Sequence, residues 1–167
     1  WKLLRIDILR IVLFIVLIWT SSIIFGFSNQ NGEQSGGLSK KVTEIILFRS
    51  DKYNNLEESK KETVFHRVEK IIRKLAHFSI YTLVGFLLMG LASTFNNFQM
   101  RERCGISLII GILYAIADEI HQSFIPGRSP LITDVFIDSL GIILGILIIV
   151  LIVKIYEKTK SVSHKVT

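Results

Sequence analysis

The stretch ADEIHQSFIPGRSPLITDVFID, Ala117 to Asp138, lodges Asp118, Glu119, His121, Gln122, Arg128, Asp134 and Asp138 between two apolar runs, CGISLIIGILYAI and SLGIILGILIIVLIV. A carboxylate or guanidinium at mid-bilayer depth costs roughly 2.5–3.5 kcal/mol on insertion scales, so such groups must face one another, water or a ligand. Asp118, His121 and Gln122 are spaced i, i+3, i+4 and project from one helical face, whereas Glu119 is turned about 100° away toward a different neighbour. Arg73, Lys74, His77 and Tyr81 open another apolar run, with Arg73 and Tyr81 four residues either side of His77. That stripe can face the acidic residues of the third run.

Two chemistries suit these residue types. A histidine beside carboxylates in a desolvated site supports general acid–base transfer or hydrolysis, which makes His77, Asp118, Glu119 and His121 the catalytic candidates. Arg73, Lys74 and Arg128 suit a phosphate or carboxylate, and Tyr81, Gln122, Asp134 and Asp138 complete the candidate ligand-binding set. No nucleophile stands out, because Ser123 and Ser129 adjoin the site without an elbow or triad pattern. His77 and His121 on separate helices make a weak metal pair, and the single Cys104 allows neither an intrachain disulfide nor a cysteine metal site. No cofactor motif and no nucleic-acid pattern is present.

The elements that must position these groups are membrane helices. Half of the 167 residues are hydrophobic, and the mean hydropathy is +0.48. The apolar blocks are too long for ordinary core helices. Four runs qualify as spans, about 8–27, 75–95, 104–125 and 130–153. Each reaches the roughly 30 Å of a hydrocarbon core at about 1.5 Å per residue. The fold class is therefore all-α: a polytopic helical bundle with four transmembrane helices and one amphipathic surface helix. The first run, after Lys2, Arg5 and Arg10, reads as an uncleaved anchor, being long for a signal peptide and lacking a small-x-small cleavage site.

A polar segment, about 28–74, separates the first two spans. Its first half, FSNQNGEQSGGLSKKV, reads as a glycine-rich loop. Its second half places Val64, Phe65, Val68, Ile71, Ile72 and Leu75 on one helical face, with Lys, Arg and Glu opposite. That helix should lie along the membrane surface and lead into the second span.

Four spans put both chain ends on one side. Lys and Arg number nine on that side and eleven on the other, which decides nothing. Among acidic residues only Asp7, Glu102 and Glu157 accompany the termini, so the whole net charge of +6 sits there. The orientation rule counts basic residues in short flanks and is not a net-charge rule, so it is this charge distribution, and not that rule, that places the termini in the cytoplasm and segment 28–74 outside. On either orientation, the end of span one (Phe27, Ser28, Asn29, Gln30), the start of span two, the end of span three and the start of span four share one membrane face. Ser129 and Pro130 form a good N-cap and first-turn pair, which carries Asp134 and Asp138 inside the fourth helix. The helix dipole favours Asp134 but disfavours Asp118, Glu119, Arg73 and Lys74 at their helix ends. Mutual pairing or a ligand must hold those four. Gly141 and Gly145, in G-x-x-x-G spacing, mark close helix packing.

FSNQNGEQSGGLS after the first span, RKLAHFSIY opening the second, and ADEIHQSFIPGRSPLITDVFIDSLGIILG across the third and fourth resemble the VanZ family of small bacterial membrane proteins, in order and over nearly the whole chain. The resemblance implies a single VanZ-like transmembrane domain over 1–167, a bacterial plasma membrane, and association with low-level resistance to teicoplanin-type glycopeptide antibiotics. It implies no chemical mechanism. The expected partners are membrane lipids, with a lipid-linked cell-wall precursor or a lipoglycopeptide as ligand. Binding and intramembrane catalysis on an envelope lipid headgroup both fit the cluster, whereas four spans leave little room for an alternating-access path.

Overall fold

Long unbroken apolar stretches set the architecture. The computed structural model describes residues 2–29, 32–128 and 131–166. The regular elements among them are all helical: α1 Lys2–Ser28, α2 Gly32–Phe48, α3 Asp51–Asn54, α4 Glu58–Ser93, α5 Met100–Ser123 and α6 Ile132–Val166. Four helices are long and apolar enough to cross a membrane, over Leu4–Ser28, Glu58–Ser93, Met100–Ser123 and Ile132–Lys160. The chain is thus an all-α bundle of the multi-pass membrane kind. Gln30, Ser129 and Pro130 lie outside the described residues.

The lipid side of the bundle is legible from exposure. Ile8, Ile11, Phe14, Ile15, Ile18 and Trp19 on α1, and Leu147, Leu151 and Ile152 on α6, stand open. Such exposed apolar faces suit hydrocarbon and would be aggregation sites in water. The core holds Tyr81, Val84, Met89, Ala115, Ile142 and Ile146.

Glycines decide which helices touch. At Gly85, Gly141 and Gly145 the backbones of α4 and α6 run so close that an added Cβ would collide with the carbonyl oxygens of Ile142, Phe78 and Thr82 respectively. Small residues permit this approach, and the G-x-x-x-G spacing is spent inside the chain. The opposite end of α4 is capped from two other helices. Arg10 donates to Thr94 Oγ1 at 3.1 Å and to the Thr94 carbonyl at 2.7 Å, lies 4.5 Å over the Phe95 ring, and Arg103 donates to the Phe95 carbonyl at 2.8 Å. These donors satisfy carbonyls that a helix end leaves open.

Two features differ from the reading of the sequence. The amphipathic stretch and the second span are one helix of 36 residues, about 54 Å long at 1.5 Å per residue. No proline interrupts it and its first glycine is Gly85. The expected glycine-rich loop is largely α2. Ser39, Thr43 and Leu47, four residues apart, are buried against α4, and Ser39 Oγ reaches Glu69 Oε1 at 3.5 Å. Tertiary packing thereby overrides the low helix propensity of Gly32, Gly36 and Gly37. The remaining surface of α2 divides into an apolar stripe, with Leu38, Val42, Ile45 and Ile46 exposed, and a polar one carrying Lys40, Lys41 and Glu44. This is the pattern of an interfacial helix.

Candidate functional site

The polar ends of α1, α5 and α6 converge on the middle of α4, where Arg73 and Lys74 stand in mid-helix and not at the helix N-terminus expected for them. The polar groups sort into two adjoining clusters. The first is closed. Asp118, on α5, accepts from Ser28 Oγ at 2.5 Å, from Tyr81 OH at 3.0 Å and from Gln122 Nε2 at 2.9 Å. Gln122 Nε2 also donates to Ser28 Oγ at 3.3 Å. Ser28, Tyr81, Asp118 and Gln122 are all buried. Three donors on one carboxylate make a satisfied network that ties three helices together.

The second cluster is open. A cavity of about 150 Å³ is lined by Lys70, Arg73, Lys74, His77, Gln122, Gly127, Arg128, Leu131, Asp134, Ile137 and Asp138. Lys74 pairs with Asp134 at 3.3 Å, with both side chains partly exposed. His77 Nδ1 lies 3.6 Å from Asp138 Oδ1, too far for a good hydrogen bond, and neither atom has another partner. Asp138 is only 2% exposed. Arg128 donates through Nη2 to the Phe27 carbonyl at 3.1 Å, while its Nε and Nη1 are buried and unpaired. Burial, and then the neighbouring charge of Arg73, pulls the Arg128 guanidinium below its ordinary range. Arg73 and Lys70 have no ion pair among the described residues.

An apolar groove of about 240 Å³ opens beside this cavity between α1, α2 and α4. Ile24, Phe27, Leu38, Val42, Ile72, Ala76 and Ile80 wall it, and Arg73, His77 and Arg128 belong to both spaces. Polar cavity and apolar groove therefore share one wall.

Seven of the anticipated residues, Arg73, Lys74, His77, Gln122, Arg128, Asp134 and Asp138, line the cavity. Tyr81 and Asp118 stand in the closed network behind it. Glu119 and His121 turn elsewhere. Glu119 Oε1 accepts from the Leu131 amide at 2.6 Å, capping the approach to α6. His121 Nε2 contacts Asn29 Oδ1 at 2.9 Å, and its ring stacks on Phe25 at 4.6 Å. Spacing alone lets the stripe on α4 face the acidic residues of the third span. Tyr81 does so, whereas His77 meets Asp138 of the fourth, because the glycine contacts bring α6 against α4.

Two residues gained a place that the sequence did not suggest. Lys70 reads as part of a solvated helix face, and Ser28 reads only as one of the converging residues. The signal for Lys70 was its spacing, one turn before Lys74 on the same helix. Among the described residues, no three His, Cys, Asp or Glu side chains are grouped as a metal site requires.

These residues fall within a stretch that matches a known family. The VanZ/LLP1 family model matches residues 11–153. The chain belongs to the VanZ/LLP1 family. No curated protein and no solved structure matches it. The VanZ/LLP1 match runs from within α1 to within α6, so it takes in both clusters and the groove.

Proposed function

We propose that this VanZ/LLP1 protein sits in a bacterial plasma membrane with both termini in the cytoplasm, and that its polar cavity opens on the outer leaflet and binds the anionic headgroup of an amphiphile. The ligand class is a lipid-linked cell-wall precursor or a lipoglycopeptide, and the expected consequence is low-level protection against teicoplanin-type antibiotics. One observation carries the reading: the cation-lined cavity and the apolar groove meet at Arg73, His77 and Arg128. Side-by-side polar and apolar spaces match a charged head and its chain.

The test compares teicoplanin and vancomycin susceptibility of a host expressing the wild type, Arg73→Gln, Arg128→Gln and His77→Gln, with membrane abundance matched by immunoblot. Loss of teicoplanin-selective protection at equal abundance is expected for the arginine variants. Full protection in both would reject the cavity as the site.

A second reading, an intramembrane acid–base enzyme acting as hydrolase or transferase on an envelope lipid headgroup, draws on the His77–Asp138 pair. A carboxylate at Nδ1 orients an imidazole for proton transfer through its other nitrogen. It predicts headgroup turnover by the reconstituted protein that His77→Gln abolishes. Binding without turnover favours the first reading.

A further inference from the structure

The charge and the size of the cavity together narrow the ligand. Four cationic side chains, Lys70, Arg73, Lys74 and Arg128, face two carboxylates, Asp134 and Asp138. Among the lining side chains, four less two leaves an excess of two positive charges with His77 neutral, and three with it protonated. Asp118 and Glu119, outside the lining and held by donors of their own, also act on Arg128. A carboxylate headgroup supplies a single negative charge. A phosphate monoester supplies about 1.5 to 2 near neutral pH, with three strong acceptor oxygens. Donors for those oxygens are at hand. Arg73 and Lys70 have no ion pair among the described residues, and Nε and Nη1 of Arg128 are buried and unmet.

Size excludes bulkier heads. Drug-sized ligands fill roughly 300–1,000 Å³, whereas the cavity offers about 150 Å³. A compact group of a few heavy atoms fits; a peptide or saccharide body must stay outside. Away from the shared wall, the adjoining groove is lined mainly by Ile24, Leu38, Val42, Ile72 and Ile80, with Ser28, Ser39 and Tyr81 among them, and offers a largely apolar path.

Resting on the amphiphile reading and deepening it, we propose that the ligand is a lipid phosphate, its monoester headgroup held by Arg73, Arg128 and Lys70 and its hydrocarbon chain laid in the groove between α1, α2 and α4. The shared chemistry with free phosphate is the headgroup alone, so the groove is what distinguishes the two. α2 supplies one wall of that path through Leu38 and Val42, which makes the chain-binding half depend on a segment that the sequence presents as a loop.

The full chain, reconstituted in nanodiscs of phosphatidylcholine, is titrated with hexadecyl phosphate, hexadecanoate or inorganic phosphate, and bound adducts are counted by native mass spectrometry. Hexadecyl phosphate should be retained at least about tenfold more tightly than either comparator, the scale set by added charge-assisted hydrogen bonds. Arg73→Gln and Arg128→Gln should each weaken it by on the order of tenfold. Lys70→Gln, on an exposed side chain, is the variant least able to disturb folding and should weaken it by a smaller factor. Equal retention of hexadecyl phosphate and hexadecanoate overturns the phosphate assignment and leaves the amphiphile reading standing. Inorganic phosphate held as tightly as hexadecyl phosphate overturns the lipid assignment. Retention of all three probes no better than by the Arg73→Gln/Arg128→Gln double variant overturns both.

Discussion

The cluster around Asp118 and the cavity around Arg73 are neighbours in one bundle; each holds a buried aspartate, Asp118 in the first and Asp138 in the second, and the two differ in satisfaction. Asp118 has three donors on its two oxygens. In the cavity, His77 Nδ1, Asp138 Oδ1 and two nitrogens of Arg128 lack hydrogen-bond partners. Buried polar groups normally find partners, and unmet ones cost about 1–3 kcal/mol each. A closed network is what a fold needs to join helices in a medium without water. An open one, rich in cations beside an apolar groove, is what a binding site needs before its ligand arrives. Charged residues in a membrane therefore do not announce their role by type; the state of their partners does.

The largest effect is expected at Asp118. Asp118→Ala strips the acceptor from Ser28, Tyr81 and Gln122, and should destabilise the detergent-solubilised protein by about 3 kcal/mol or more, read from thermal unfolding. Asp118→Asn keeps the shape and should cost less than half as much. If Asp118→Ala melts like the wild type, the closed cluster is not structural and the contrast fails.

Gly145→Val tests the scaffold behind the cavity. Its side chain would strike the Thr82 carbonyl and force α6 from α4, at a cost of about 1–3 kcal/mol, occasionally more. Separation of His77 from Asp138 should follow, seen as a change in the His77 imidazole NMR signal. An unchanged signal and melt would mean that α4 and α6 do not meet as described.

Smaller effects belong to the open side. Arg128→Gln loses the bond to Phe27 but relieves an excess positive charge, so stability should move by no more than about 1 kcal/mol, while headgroup binding falls. A loss as large as that of Asp118→Ala would turn the cavity into structure. Smallest is the Lys74–Asp134 pair, partly exposed on both sides. A double-mutant cycle with Lys74→Met and Asp134→Asn should return a coupling of no more than about 1 kcal/mol.

Much of this bundle is legible in its sequence for reasons that are local. Apolar run length marks the four membrane helices, and G-x-x-x-G marks their closest contact. The sequence also places Glu119 off the face of Asp118, and Glu119 indeed turns to the start of α6. His121 shows where such reasoning stops. Its spacing puts it with Asp118 and Gln122, yet it stands against Asn29 and Phe25. A face spanning three residues is wide enough to meet two different neighbours. α2 is missed for a different cause. Glycine content argues for a loop, and only the buried Ser39, Thr43 and Leu47 against α4 supply the energy to order it.

By itself the sequence determined that the chain is an all-α membrane bundle, and that its polar residues gather at one end, because alternating spans leave them no other place. Tertiary structure alone decided which polar groups are satisfied and which stand open. Helical periodicity assigns a residue to a face but not to a partner. The partner follows from how closely two backbones approach, and here the glycines of α4 and α6 hand Asp138 to His77 while Tyr81 and Ser28 close on Asp118.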